Sequence, residues 1–191
     1  MSLVENFIHV VSTYDVKKPA KQSSLIAPWL GIDRTPPGKS QRIGNYLEDF
    51  FAFDMGTQNK LPLTDYKTGR DYMITCNDED HQVDMLALPN KWVQYKKYVH
   101  RELKTNTDLD RGKKRDTCSR EKAITSWMDD KGWEYDSGVF CPFFYNKGKK
   151  VAGLGWVDGI DWYIETFQPT WTKEDFIAMG KLPQVHSALG L

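Results

Sequence analysis

Between residues 72 and 105 three β-rich segments follow one another with a helical pattern on either side, and no other feature restricts the fold as much. Residues 72–76 (Tyr-Met-Ile-Thr-Cys) read as a first strand and residues 77–81 (Asn-Asp-Glu-Asp-His) as a turn. Gln82-Val-Asp-Met-Leu-Ala-Leu reads as a second strand, closed by Pro89-Asn90. From Trp92 a run rich in aromatic and β-branched residues passes through Val93, Tyr95, Tyr98, Val99 and Leu103 to Thr105, the composition of a strand. Upstream, residues 39–54 carry Ile43, Leu47, Phe50 and Phe51 at i, i+4, i+7 and i+8, the apolar stripe of a helix that Gly56 ends. Downstream, Ala123, Ile124, Trp127 and Met128 signal a helix over 119–130, stopped by Gly132. Helices packed on consecutive strands predict an α/β or α+β fold with a mixed central β-sheet flanked by helices.

Residues 3–11 fit a short helix or a strand. Residues 31–38, with Pro36 and Pro37, and residues 57–70, with Pro62 and Gly69, read as loops. Residues 133–145 read as another strand, 146–150 as a turn and 151–157 as the hairpin partner, and Thr172 opens a last short helix. A chain of 191 residues has room for one domain with a genuine core, and a second would be cramped. Aromatics make up 13% of it, including seven Trp, which excludes a disordered chain. No stretch nears ~18 uninterrupted apolar residues, so neither a spanning helix nor a membrane partner is expected. The first residues lack a basic region followed by an apolar run, so a cytoplasmic location is expected. Cys76, Cys118 and Cys141 have no CxxC spacing and read as reduced thiols.

Twenty-six basic and twenty-six acidic side chains cancel over the chain, which argues against polyanion binding by the whole surface. Their distribution is uneven. Residues 1–90 hold nine Lys/Arg against twelve Asp/Glu (net −3), residues 91–122 eleven against five (net +6), and residues 123–191 six against nine (net −3). The central excess gives one face the local charge to attract phosphate, although a solvated face would carry the same run.

Gly38-Lys39-Ser40 invites comparison with a phosphate-cradling loop, but the Gly required five positions earlier is Asp33, and two prolines remove N–H groups from the loop. There is no Gly-x-Ser-x-Gly and no oxyanion loop around Cys141-Pro142. His9, His81, His100 and His186 form no HxxxH pair. A second acidic cluster, Asp158, Asp161 and Glu165, lies among Trp and Ile residues that look like core and has no neighbouring Lys.

Asp84, Glu102 and Lys104, with Glu48 upstream, form a constellation with a definite chemistry. Carboxylates are hard-oxygen ligands for a divalent cation. Such a cation polarises a phosphoryl oxygen and acidifies water, and an adjacent ammonium stabilises developing charge or positions the attacking water. Together these groups suit phosphodiester hydrolysis. Residues two apart on a strand share a face, so Glu102 and Lys104 point into one site while Leu103 turns into the core. Seventeen residues lie between Asp84 and Glu102, enough for a strand, a turn and a return strand at ~3.3 Å per residue. An acid two before a Lys also occurs at Asp15-Val-Lys17, Asp65-Tyr-Lys67 and Asp129-Asp-Lys131, but only Glu102 follows a β-rich run with an Asp-bearing strand ahead of it. Two ordinary surface ion pairs would leave the same bare pattern.

Gln82-Val-Asp-Met-Leu-Ala-Leu followed by Arg101-Glu-Leu-Lys-Thr-Asn resembles the metal-binding core of the PD-(D/E)xK nuclease superfamily. Glu102-Leu-Lys-Thr-Asn-Thr-Asp-Leu-Asp110 and the helix motif Gln41-Arg-Ile-Gly-Asn-Tyr-Leu-Glu48 resemble type II restriction endonucleases in particular. The resemblance spans residues 39–130, with Val83 where the superfamily often has Pro. It implies a restriction-endonuclease-like core within a single nuclease domain over residues 1–191, to which 131–191 add strands and a C-terminal helix. It implies Mg2+, with Mn2+ as a substitute, held by Asp84, Glu102 and the main-chain carbonyl of Leu103. Lys104 would be the catalytic lysine, and Glu48 would assist the metal site or its water network. Implied further are cleavage of double-stranded DNA to leave 5′-phosphates, a two-fold homodimer, and a prokaryotic or viral origin. Arg111-Gly-Lys-Lys-Arg115 reads as a flexible cationic loop beside the site, and with Asn106 and Arg42 it supplies candidate DNA contacts, Lys113, Lys114 and Arg115 among them. Three alternatives stay open: a phage or repair nuclease that recognises DNA structure, a non-catalytic nucleic-acid-binding module, and a cytosolic interaction domain with a solvated basic face.

Overall fold

A computed structural model describes residues 2–13, 25–36, 38–58, 73–76 and 78–191. The chain forms helices α1 (Leu3–Thr13), α2 (Ile26–Leu30) and α3 (Lys39–Gln58), then a hairpin of β1 (Met73–Cys76) and β2 (Glu79–Gln82). Strand β3 (Met85–Ala87), a 3₁₀ helix (Asn90–Tyr95), β4 (Lys97–Leu103), α4 (Arg111–Asp130) and β5 (Glu134–Phe140) follow. Then come β6 (Gly148–Val151), β7 (Gly155–Asp158), α5 (Ile160–Phe167), α6 (Lys173–Met179) and α7 (Pro183–Leu189). Five strands form a mixed sheet in the spatial order β3-β4-β5-β7-β6. The outer pairs β3/β4 and β6/β7 are antiparallel, while β4/β5 and β5/β7 are parallel. The fold is thus mixed α+β, a five-stranded mixed sheet flanked by helices. Among the described residues no helix is long and apolar enough to cross a membrane.

Strand β4 is buried from Val99 to Leu103 because helices cover both of its faces. Val99 and Leu103 turn into the larger core, whose aromatic centre is Phe7, Phe50, Phe51, Phe140, Tyr163 and Phe176. The apolar stripe of α3 is buried as its spacing predicts, and Phe51 is its hub. Its ring lies 5.1 Å from Phe50, 5.0 Å from Phe140, 4.9 Å from Tyr163 and 5.7 Å from Phe176. Three residues on, the buried Asp54 carboxylate accepts Tyr163 Oη at 2.6 Å and Trp171 Nε1 at 3.0 Å, so α3 is pinned to the C-terminal helices by polar as well as apolar contacts. On the other side of the sheet a smaller cluster packs Leu86 and Tyr98 against Ile124 and Met128 of α4.

Several expectations shift. Residues 3–11 are helical. Residues 92–95 are not strand: a 3₁₀ turn opens after Pro89 and closes at Lys96 in a left-handed conformation, φ 49°. Trp92 sits between the ammonium groups of Lys91 and Lys97, 5.0 and 5.2 Å from its ring, and Tyr95 stays exposed. β propensity acts through burial on a pleated face, which these side chains lack. Residues 79–82 are strand, because the chain reverses at Asp78 (φ 63°), where a short polar residue tolerates a positive φ. Residues 111–115 open α4 and are no flexible loop, since Asp110 caps the helix by accepting the Lys113 N–H at 2.9 Å. Basic residues there oppose the helix dipole, and Gly112 weakens the pattern, so local preference hides the start. Strand β5 stops at Phe140, and residues 151–157 are not its hairpin partner: β7 runs parallel to β5 and forms its hairpin with β6, inside the segment read as a turn. Helices α5 and α7 were unanticipated. Residues 59–70, Tyr72, Asn77, Pro37 and the Asp15 and Asp65 patterns lie outside the described residues.

Phe51→Ala tests the α3 anchor. Loss of its ring contacts is expected to lower the unfolding free energy by roughly 3–5 kcal/mol in urea titrations. A loss below about 1 kcal/mol would mean that α3 is not held by this packing.

Candidate active site

Strand register does the positioning. Met85 pairs with Arg101, which sets Asp84, at the entry to β3, opposite Glu102. The Leu103 N–H donates to Asp84 Oδ2 at 2.9 Å, so a side-chain carboxylate ties the two segments where their ladder ends. Lys104, one residue beyond β4, stays anchored to β5 through its own N–H, which donates to the Phe140 carbonyl at 2.8 Å. Its ammonium returns to Glu102 Oε2 at 3.1 Å and to Asp84 Oδ2 at 3.6 Å, so both carboxylates meet at one cation. The side chain of Leu103 is buried in the core while the residue forms part of the cleft wall.

That cleft has a volume of about 620 Å³. One wall is α3, with Ser40, Gln41, Gly44, Asn45 and Glu48; the other is α4, with Lys113, Asp116, Thr117 and Arg120. The α4 residues fall at i, i+3, i+4 and i+7, one face of a helix. Sequence reasoning misses Arg120, whose NH1 donates to Glu102 Oε2 at 3.1 Å. Starting the helix at 119 conceals that Arg120 shares a face with Lys113, whereas the Asp110 cap would reveal it.

Of the expected DNA contacts, Lys113 and Asn106 line the cleft, and Asn106 Oδ1 accepts the Asp108 N–H at 2.9 Å. Lys114 instead donates to the Ala152 carbonyl at 2.7 Å. Arg42 and Arg115 are exposed, off the cleft-lining faces of α3 and α4. The second acidic cluster disperses. Asp158 accepts Arg101 Nε at 2.8 Å and Trp156 Nε1 at 2.9 Å, Asp161 pairs with Lys173 at 3.0 Å, and Glu165 pairs with Lys147 at 2.9 Å.

Acids crowded at low dielectric raise one another's pKa. Burial, and then the charge of Asp84, push Glu102 up to about 7 against the pull of Lys104 and Arg120. Burial and Asp84 likewise hold Glu48 well above the ordinary carboxylate range. Burial opposes the Lys104 ammonium, but Asp84, Glu102 and Glu48 outweigh it and keep the amine charged. His100, on the same face of β4, is pushed down to about 3 by burial and by Arg101, so it is neutral.

The donor set suits Mg2+. Glu102 Oε1 is buried and has no hydrogen-bond partner among the described residues, which leaves one hard oxygen uncommitted. Among those residues no three His, Cys, Asp or Glu side chains group to hold a metal by themselves. Mg2+ needs no such cage, since it keeps several waters and takes one or two carboxylates plus substrate phosphate. Asp84 and Glu102 meet that requirement. Asp108, Asp110 and Asp116 also line the cleft, opposite in charge to Lys104, Lys113 and Arg120.

The raised Glu102 pKa has a consequence for stability. The folded state binds its proton more tightly than the unfolded chain, whose carboxyl lies near 4.5, so stability conferred at low pH is lost as pH rises from there toward 7. In chelator, denaturant titrations are expected to give a metal-free protein less stable at about pH 8 than at about pH 5 through this group, by roughly 1–3 kcal/mol. Glu102→Gln should remove that share of the slope and be the more stable protein at the higher pH; an unchanged slope would contradict the assignment. No protein-family model, no curated protein and no solved structure matches the chain.

Proposed function

We propose that the chain is a Mg2+-dependent endonuclease of double-stranded DNA, built on a restriction-endonuclease-like core and cutting at specific sequences to leave 5′-phosphates. The observation that carries the reading is the convergence of the buried Asp84 and Glu102 on Lys104 Nζ, at 3.6 and 3.1 Å, where Lys104 lines a cleft. Asp84, Glu102 and the Leu103 carbonyl would hold the cation. When bound, Mg2+ polarises the phosphoryl oxygen and acidifies water. Lys104 stays protonated at neutral pH and stabilises the charge that builds on the phosphoryl oxygens, or orients the attacking water. Glu48 lines the cleft, where it would assist the metal site or its water network. Attack in line with the departing 3′ oxygen leaves the phosphate on the 5′ side.

Lys113 and Asn106, which line the cleft, would reach backbone phosphate, and the exposed Arg42 and Arg115 would add contacts outside it. Lys114, engaged by Ala152, is not among the proposed contacts. A two-fold homodimer would match the symmetry of a palindromic site. A cytoplasmic enzyme of prokaryotic or viral origin belongs to the same reading.

Digestion of plasmid DNA in Mg2+ tests the proposal. Discrete bands are expected, and Lys104→Ala, assayed at a temperature where circular dichroism shows it folded, should cut at least ~10²-fold more slowly. A smear, or cutting confined to junctions, would favour a nuclease that recognises DNA structure. Binding with no cutting in Mg2+ or Mn2+ would leave a non-catalytic nucleic-acid-binding module. A Lys104→Ala protein that cuts like the wild type would overturn the catalytic assignment.

A further inference from the structure

The two oxygens of Glu102 are treated unequally. Oε2 accepts from both Lys104 Nζ and Arg120 NH1, each at 3.1 Å, while Oε1 is buried without a partner among the described residues. One carboxylate oxygen therefore meets two cations, while the other has no hydrogen-bond partner among the described residues. Of the two cations Arg120 is the looser. Its side chain is 37% exposed against 20% for Lys104, and Lys104 is held by Asp84 as well. Arg120 reaches Glu102 through a single guanidinium nitrogen in place of the bidentate fork that makes such pairs strong. Its remaining N–H donors are not engaged by Glu102, and the residue lines the cleft beside Glu48 and Thr117.

A divalent cation arriving at Glu102 sets two positive charges against the same carboxylate and repels the guanidinium. The group displaced is already in the cleft, and its planar fork suits a phosphate better than it suits a carboxylate oxygen already claimed.

We propose that Arg120 is a phosphate-binding residue that Glu102 retains until a divalent cation enters, so that cation and DNA phosphate bind cooperatively. This rests on the nuclease reading above. In the cation-free protein Arg120 offsets part of the Glu102 charge. In the loaded protein it turns to the phosphate, and each ligand makes room for the other.

Two titrations test the coupling. The first follows a short DNA duplex by fluorescence anisotropy, with Ca2+ and with chelator. The second follows Ca2+ by calorimetry, with and without the duplex. In the wild type, Ca2+ should tighten duplex binding roughly 10²-fold, and the duplex should tighten Ca2+ binding by the same factor. In Arg120→Gln the factor should fall about tenfold, the loss of one charge-assisted contact, while Ca2+ binds the protein alone at least as tightly as before. Arg120→Lys, which keeps the charge without the fork, should retain part of the coupling. A glutamine variant that couples the two ligands like the wild type overturns the inference. So does one whose affinity for Ca2+ alone falls, because Arg120 would then only brace Glu102. Both outcomes leave the nuclease reading standing. A wild type that binds neither Ca2+ nor the duplex removes that reading and this inference together.

Discussion

Burial of Glu102 is the constraint around which the site and much of the sheet are arranged. A carboxylate with no exposed surface costs several kcal/mol of lost hydration unless partners offset it. Its partners come from different parts of the fold, Lys104 from the end of the same strand and Arg120 from α4. Asp84, from the entry to β3, acts through the shared lysine. Each demands something of the architecture. Strand β3 must keep its register with β4, β5 must hold the Lys104 backbone, and α4 must start at Asp110 so that Arg120 arrives on the cleft-facing side. The offset is also incomplete, because Oε1 is left without a partner among the described residues and the carboxyl titrates near 7. Replacing a buried ion pair by apolar side chains is often neutral or stabilising, so an incompletely paired carboxyl beside a cleft is weak evidence for stability and fits the proposed role.

The neighbouring residue shows what a finished pair looks like. Arg101, on the opposite face of β4, donates Nε to Asp158 at 2.8 Å, NH2 to Asp136 at 3.0 Å and NH1 to the carbonyls of His100 and Asp136 at 2.8 and 2.7 Å. Its guanidinium also lies 4.2 Å from the Trp162 ring centroid. Four of its five N–H groups are thus accounted for, as a buried cation requires. Two adjacent side chains of one strand thus carry opposite charges, equal burial and different roles: Arg101 locks the sheet to α5, and Glu102 stays chemically available. The alternation of the strand separates the two roles.

Much of this was legible where the information is local. The α3 stripe, the shared face of Glu102 and Lys104 and the pairing of their segment with the one bearing Asp84 follow from the 3.6 and 2.0 residue periods and from one Pro-Asn turn. The missing parts were those decided by a single residue or by distant ones. The start of α4 hangs on the Asp110 cap, and reading past it turned a helical wall into a loop and concealed Arg120. The parallel placement of β7 beside β5, with β6 outermost, is set by contacts between far-separated segments that no local period encodes. Trp92 and Tyr95 read as strand because their types favour strands, yet burial went to other side chains and a 3₁₀ turn carries them past the sheet.

The charge distribution changes meaning once side chains are located. The excess of positive charge over residues 91–122 suggests a basic face, but five of its eleven Lys and Arg side chains are occupied. Lys104 and Arg120 serve Glu102, Arg101 serves Asp136 and Asp158, Lys91 donates to the Glu165 carbonyl at 2.7 Å, and Lys114 is turned to Ala152. What faces the cleft is mixed, since Glu48, Asp108, Asp110 and Asp116 line it together with Lys104, Lys113 and Arg120. A polyanion gains little by approaching such a surface unaided. In the proposed enzyme a divalent cation on Asp84 and Glu102 would change the local sign at the one point where Lys104 already stands. The acids would then govern entry, and the lysine would act on what the cation admits.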